Sequence, residues 1–177
     1  MLDINGIVSL EMRKSKYDSI DILLDIVKKE YDVENDEKKS IDSRTGIFIT
    51  LTMATIVFIF NNANNIIHIV TDKGEVYFYA LYVILVLAVS GIFIGLLKFV
   101  TVASINGYAK INMRDIFYQI TLGKDNASML AYIQYEKIVD TNRDINRNRY
   151  KILEDGITVL KWAVLLFGVV YILQLFF

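Results

Sequence analysis

The densest polar stretch of the chain runs from Asp140 to Lys151 and reads DTNRDINRNRYK. It places guanidinium, ammonium and carboxamide groups within a few turns of one predicted helix. Arginine binds phosphate oxygens in pairs, and asparagine can contact the edges of nucleobases. One interpretation is therefore an anion or nucleotide site formed by Arg143, Arg147, Arg149, Asn142, Asn146 and Lys151. The other is a solvated helix face on which Arg149 alone packs against a neighbouring helix.

Tyrosines in the same half of the chain could stack on a base. Tyr135 is better explained as a core residue, because it lies on an apolar stripe described below. The candidates for stacking are Tyr108, Tyr118, Tyr132, Tyr135 and Tyr150.

Catalytic patterns are not found in the sequence. The single histidine, His68, has no second histidine at metal-binding spacing, and no glycine-rich loop precedes Lys-Ser or Lys-Thr. The absence of cysteine excludes disulfides, thiolate metal sites and cysteine nucleophiles. We therefore expect no catalytic residue, no metal site and no cofactor, and we predict that the protein is not an enzyme.

The composition of the chain predicts the helices that carry these residues. Hydrophobic residues make up 54% of the 177 residues, and they are clustered, while the net charge is only −1. Three clusters are long enough for membrane spans, at residues 45–60, 76–100 and 157–177. The first is short, about 24 Å at helical rise, and could extend through Asn61–Asn65 toward Val70. The sequence predicts an all-α membrane protein with three transmembrane helices.

Positive charge predicts the topology. Residues 1–44 carry eight Lys or Arg and residues 101–156 carry another eight, whereas the loop between the first two spans carries only Lys73. The positive-inside rule places both basic segments in the cytoplasm and the loop outside. Tyr77, Tyr79 and Tyr82 would form the outer aromatic belt of the second span. The predicted organisation is a cytoplasmic helix (1–44), a transmembrane hairpin (45–100), a cytoplasmic helical segment (101–156) and a C-terminal transmembrane helix (157–177).

Two heptad-like stripes precede the first and third spans, with alternating steps of three and four residues. The first continues through Glu34 and Lys38, although the polar run at 32–39 leaves a break possible. The second has polar residues at two of its positions, Asn142 and Arg149. Both stripes predict cytoplasmic helices that continue into the bilayer and form a stalk, with mixed loop and short helix at Ser104–Gly123. Their members are Tyr17, Ile20, Leu24, Val27, Tyr31, Glu34, Lys38 and Ile41, and then Ala131, Tyr135, Ile138, Asn142, Ile145, Arg149, Ile152 and Gly156.

Small and hydroxyl residues within the spans could bring helices together or line a pore. Gly46, Thr50 and Ala54 repeat at four-residue steps, and Gly91–Gly95 forms a GxxxG pattern that suits either intrachain packing or oligomer contact. A pore would be lined by Thr50, Thr52 and Thr55, which supply the most polar stripe of the first span.

The stretches EKKSIDSRTGIFITL (Glu37–Leu51) and YEKIVDTNRDINRNRYKIL (Tyr135–Leu153) resemble SLATT-like small transmembrane effectors of bacterial antiphage defence. Membrane effectors of the CBASS, Pycsar and Hailong nucleotide-signalling systems are similar in architecture. The resemblance covers about two thirds of the chain and rests on helices and polarity rather than on invariant residues. The chain departs from the simplest pattern through its C-terminal span, and no separate sensor domain is recognisable in it.

The resemblance implies assembly in the bacterial inner membrane and permeabilisation on receipt of a signal. It suggests a homo-oligomeric channel or pore-forming effector, with a tetramer favoured, acting in abortive infection. The N-terminus would be cytoplasmic, and a nucleotide or oligonucleotide from a partner nucleotidyltransferase would gate the channel. The alternative is a non-conducting membrane anchor or scaffold that recruits a partner protein through its cytoplasmic helices.

Overall fold

A computed structural model gives the structure of residues 4–62, 75–111 and 124–176, with side chains described for 19–62, 79–111 and 127–173. The described chain consists of three long helices, α1 (Ile4–Asn61), α2 (Glu75–Ser104) and α3 (Lys124–Phe176). The sequence has no proline to interrupt them. Each helix is long and apolar enough to cross a membrane. The prediction of an all-α protein with three membrane-crossing helices is confirmed at this level.

The two predicted stripes lie on uninterrupted helices. α1 includes both the first stripe and the 45–60 span, and it does not break at residues 32–39. α3 includes the second stripe and nearly all of the 157–177 span. The segment after α2, residues 105–111, has no regular structure, and Gly107 adopts a φ of 119° there, which suits glycine. The loop with His68 and Lys73, which is predicted to be on the outer side, lies outside the described residues, as do residues 112–123 with Tyr118 and the side chains of Tyr17 and Tyr77.

Tertiary contacts divide the chain into two compact units. Unit 1 comprises Met1–Lys39 and Gly107–Asn146. Within it α1 and α3 run in the same direction, because Tyr31 meets Tyr135 and Glu34 meets Asn146. The two tyrosine rings pack edge to face with centroids 5.6 Å apart, an arrangement that aromatic pairs favour.

Unit 2 comprises Ser40–Asn106 and Arg147–Phe177, and it contains the larger apolar core. The ring of Phe99 is fully buried and stacks on Phe48, with centroids 5.4 Å apart. α2 runs antiparallel to α3 and packs closely on it through glycine. A Cβ atom at Gly91 would lie 2.9 Å from the Ala163 Cβ, and one at Gly95 would lie 3.5 Å from the Gly156 carbonyl oxygen. The GxxxG pattern therefore serves intrachain packing, one of its two predicted uses.

Burial tests the two stripes residue by residue. On α1 the predicted positions from Ile20 to Ile41 are all buried or half-buried. On α3 all eight predicted positions are likewise buried or half-buried, but three neighbouring residues are buried more deeply than the predicted ones. Val139, Asn146 and Leu153 are buried, whereas Ile138, Ile145 and Ile152 are only half-buried. Of these three only Asn146 is polar, and its burial is possible because its carboxamide is hydrogen-bonded to Glu34.

Candidate functional site

Three polar side chains of α3 are almost completely buried, and we call them the polar line: Asn142, Asn146 and Arg149. Their exposed fractions are 1%, 2% and 2%. Steps of four and three residues place them on one side of the helix. Burying polar groups is costly unless they are hydrogen-bonded, and each of the three has partners.

Asn142 holds the segment that follows α2. Its Oδ1 accepts a hydrogen bond from the Ala109 backbone N–H at 2.9 Å, and its Nδ2 donates to the Ala109 carbonyl at 3.2 Å. Both backbone groups of one residue are thus satisfied by one carboxamide. This pairing fixes residues 105–111 against α3 without regular secondary structure.

Asn146 connects α3 to α1 within unit 1. Its Nδ2 donates to the Glu34 carboxylate and to the Glu34 backbone carbonyl, both at 2.9 Å. Its Oδ1 accepts a hydrogen bond from the Tyr108 hydroxyl. The Lys38 ammonium lies 4.4 Å from the centre of the Tyr108 ring, within cation–π range.

Arg143 lies beside this network but is half exposed. Its guanidinium lies 3.1 Å from the Glu30 carboxylate and 3.1 Å from the Glu34 carboxylate. Hydrogen bonds to Glu30 and then Glu34 raise the pKa of Arg143 above its usual value. Glu34 is itself buried. Its carboxylate accepts one hydrogen bond from Arg143 and another from Asn146.

Arg149 is the buried charge of unit 2. Its Nε donates to the Val102 backbone carbonyl at 3.1 Å, and a terminal nitrogen bonds to the Asp42 carboxylate. Val102 is in the last turn of α2, where helix carbonyls lack intrahelical partners. A cation at this end also complements the helix dipole. One side chain of α3 therefore caps α2 and pairs with α1.

The six predicted ligand-binding residues do not share one environment. Asn142, Asn146 and Arg149 are buried, whereas Arg143, Arg147 and Lys151 are exposed. Arg143 and Arg149 both bond to carboxylates of the same chain. The burial of Arg149 agrees with the interpretation that this residue packs against neighbouring helices. The assignment of the six residues to a nucleotide stays a prediction.

The three threonines predicted to line a pore also differ. Thr52 is buried, Thr55 is half-buried and Thr50 is exposed. Each hydroxyl donates to the backbone carbonyl four residues earlier, at 3.0 Å for Thr50, 2.7 Å for Thr52 and 2.9 Å for Thr55. Thr50 has the most open position of the three, and pore lining stays a prediction.

A groove of about 240 Å³ lies between α1 and α3 within unit 1. Its walls are partly apolar and partly charged. The Tyr132 hydroxyl donates to the Glu136 carboxylate at 3.0 Å, and this bond raises the pKa of Tyr132 above its ordinary value. The lining residues are Leu23, Ile26, Val27, Glu30, Tyr132, Glu136, Val139, Asp140 and Arg143.

Several partners in these contacts escaped the sequence reasoning. Asp42 carries no local signal, and neither do the backbone groups of Val102 and Ala109, because their roles depend on residues 33 to 107 positions away. Glu34 could have been found, since it is a carboxylate on an otherwise apolar stripe. In the part of the chain whose side chains are described, no cluster of His, Cys, Asp or Glu is placed to hold a metal ion.

Comparison of the chain with protein-family models, with curated proteins and with solved structures finds no match. The resemblance to SLATT-like effectors therefore stays a prediction that rests on the two quoted stretches of sequence.

Proposed function

We propose that the protein is a homo-oligomeric membrane channel or pore-forming effector of bacterial antiphage defence, gated from the cytoplasm by a nucleotide or oligonucleotide. The observation that carries the proposal is the continuity of α1 and α3. Each is a single helix that joins an extramembrane stripe to an apolar span. Because a helix transmits rotation and tilt along its axis, a change in the packing of the extramembrane stripes would move both spans.

The proposed protein lies in the inner membrane with its N-terminus in the cytoplasm, and a tetramer is favoured. The packing of α1 on α3 in unit 1 supports this topology, since it requires residues 1–39 and 107–146 to lie on one side. A signal must bind one packing of the helices more tightly than another in order to shift their equilibrium.

An anionic signal would act by exchange of partners. Arg143 bonds to Glu30 and Glu34, so a phosphate group could bind it by displacing a carboxylate. Arg147 and Lys151 are exposed on the same helix and could hold further phosphates. The resulting change would fall on the contacts that Glu34 makes between α1 and α3.

The test is ion flux through the purified protein in liposomes, with and without nucleotides or short oligonucleotides on the cytoplasmic side. We expect flux that responds to one of them, and a weaker response when Arg147 and Lys151 are both replaced by glutamine. Thr50→Leu should reduce flux, because it adds bulk at the predicted pore. Thr158→Leu is its matched control, since Thr158 is exposed and its hydroxyl also bonds to the carbonyl four residues earlier.

A non-conducting scaffold is the alternative proposal. The packing of the predicted pore threonines favours it, because Thr52 is buried and Thr55 is half-buried within the chain, which leaves Thr50 as the exposed one of the three. Absence of flux under every condition, from a folded oligomer, would contradict the channel and support the scaffold. Flux that Thr50→Leu leaves unchanged would contradict the assignment of the pore to this face of α1.

A further inference from the structure

Unit 1 buries few apolar side chains for its size. Val27 and Val139 are its only fully buried hydrophobic residues in the described part of the chain, and Glu34, Asn142 and Asn146 are buried beside them. A unit with so few buried apolar side chains gains little stability from its own core, and oligomerisation is one way in which small units are stabilised. The sequence has no cysteine to form a disulfide.

Four large apolar side chains remain open on one face of unit 1, and we call them the apolar band: Leu23, Ile26, Met129 and Ile133. Each is between 45% and 49% exposed. Leu23 and Ile26 line the groove together with Tyr132 and Glu136. Met129 and Ile133 share the helix face of Tyr132 and Glu136, because the four residues are spaced by three, one and three positions. The band is therefore contiguous across α1 and α3.

The charged end of the groove is already satisfied within the chain. Arg143 pairs with Glu30 at 3.1 Å and with Asp140 at 3.5 Å, and Tyr132 bonds to Glu136 at 3.0 Å. Each carboxylate of the groove thus has a partner within the chain. The surface still to be covered is the apolar band.

Lipid is a poor occupant of this surface. Ile26 lies 19 residues before Thr45, where the first span is predicted to begin. At helical rise this separation is about 28 Å along α1, which places the band far outside a bilayer core. A second copy of the chain fits better. Because α1 and α3 continue into spans, every inserted copy presents its band at the same height and with its helices in the same direction.

We propose that the apolar band is the contact face between copies of this chain, packed around a symmetry axis that runs along α1 and α3. Cyclic symmetry about such an axis brings the same residues of each copy together. Leu23 and Ile26 are spaced as in a heptad seam, continued by Glu30 and by the exposed Val33. This inference rests on the proposed function in one respect, the insertion of several copies into one membrane.

The absence of cysteine makes crosslinking a clean test. Ile26→Cys and Met129→Cys, each made in the full chain and oxidised in membranes, should give crosslinked dimers at several times the yield of Lys29→Cys. Lys29 is the matched control, since it is exposed on the same helix but lies outside the band and the groove. In detergent, Ile133→Asp should lower the mass of the oligomer, whereas Thr141→Asp, at an exposed position two turns away and outside the groove, should not.

Most outcomes of these experiments test the contact face independently of the proposed channel. An intact oligomer that conducts but does not crosslink through the band overturns the band as the contact face and leaves the channel standing. Crosslinking through the band without flux supports the contact face and favours the scaffold. A monomer without flux overturns both. Protection of Ile26→Cys by a different protein, with no crosslinked dimer, overturns self-contact.

Discussion

The buried charge of Arg149 gives the sharpest prediction, because Arg149 and its ion-pair partner Asp42 differ in exposure. Arg149 is 2% exposed, whereas the side chain of Asp42 is 49% exposed. Removing Asp42 takes one carboxylate partner away from a buried guanidinium, and breaking a buried ion pair in this way typically costs 3–5 kcal/mol. Since water reaches Asp42, we take the lower end and expect Asp42→Asn to cost about 3 kcal/mol.

Arg149→Met should cost less, although it removes the larger side chain. Methionine fills most of the same volume and needs no hydrogen bond. The Val102 carbonyl loses one donor, at about 1–2 kcal/mol, and the half-exposed Asp42 returns to water at little cost. The double variant should be close to Arg149→Met alone, because the damage done by Asp42→Asn requires the arginine to be present.

Thermal unfolding in detergent, followed by circular dichroism, measures these differences. For a chain of this length, 1 kcal/mol corresponds to about 2–4 °C in Tm. We expect Asp42→Asn to lower Tm by about 6–12 °C and Arg149→Met by about 2–8 °C. Arg147→Met, at an exposed position two residues away, is the control and should change Tm little. If Arg149→Met lowered Tm more than Asp42→Asn did, or if the two effects were additive, the argument from a buried unpaired charge would be wrong.

Three further predictions concern single contacts. Gly156→Ala should destabilise the protein by about 1–3 kcal/mol, because its Cβ would lie 2.7 Å from the buried ring of Phe99. Gly46→Ala is the control: its Cβ would meet nothing within 4 Å, so the substitution should be neutral or slightly stabilising. Chemical denaturation measures the free energy of unfolding of both variants. Asn142→Leu removes the acceptor of the Ala109 N–H, so hydrogen exchange at that amide should speed up about tenfold, which corresponds to a loss of about 1.4 kcal/mol of protection. Unchanged exchange would mean that Asn142 does not hold the segment at residues 105–111. Tyr132 has a raised pKa because its hydroxyl bonds to Glu136, so its stabilising contribution is present below pH 10 and is lost as the pH rises through the raised pKa. The titration of Tyr132 is measured as the difference in alkaline absorbance between the wild type and Tyr132→Phe. This titration should shift to lower pH when Glu136→Gln is present in both proteins.

The helices could be predicted from sequence because their signals are local. Spacings of three and four residues on α1 continue through Glu34 and Lys38, and the structure keeps one helix through both. The apolar clusters are long enough to identify all three candidate spans. These features need no knowledge of which segments meet.

The contacts of α3 could not be predicted in the same way. The apolar pattern predicts burial of Ile138, Ile145 and Ile152, yet the polar Asn146 is buried more deeply than these half-buried residues. Its burial is tolerable because the Glu34 side chain and backbone satisfy it from 112 residues away. Hydrogen-bond partners at this distance leave no trace in local spacing, so the deep burial of Asn146 could not be predicted from the sequence.

The polar line also constrains how the proposed channel could move. Apolar side chains tolerate a shift of one helix past another, because one apolar neighbour can replace the next. Asn142 and Arg149 do not, since Asn142 bonds to both backbone groups of Ala109 and Arg149 bonds to the Val102 carbonyl. Sliding α3 by one turn, about 5.4 Å, would leave several buried polar groups without partners. We therefore infer that gating keeps the axial position of α3 and proceeds by tilt, with an anionic signal acting where a carboxylate such as Glu30 can be exchanged for phosphate.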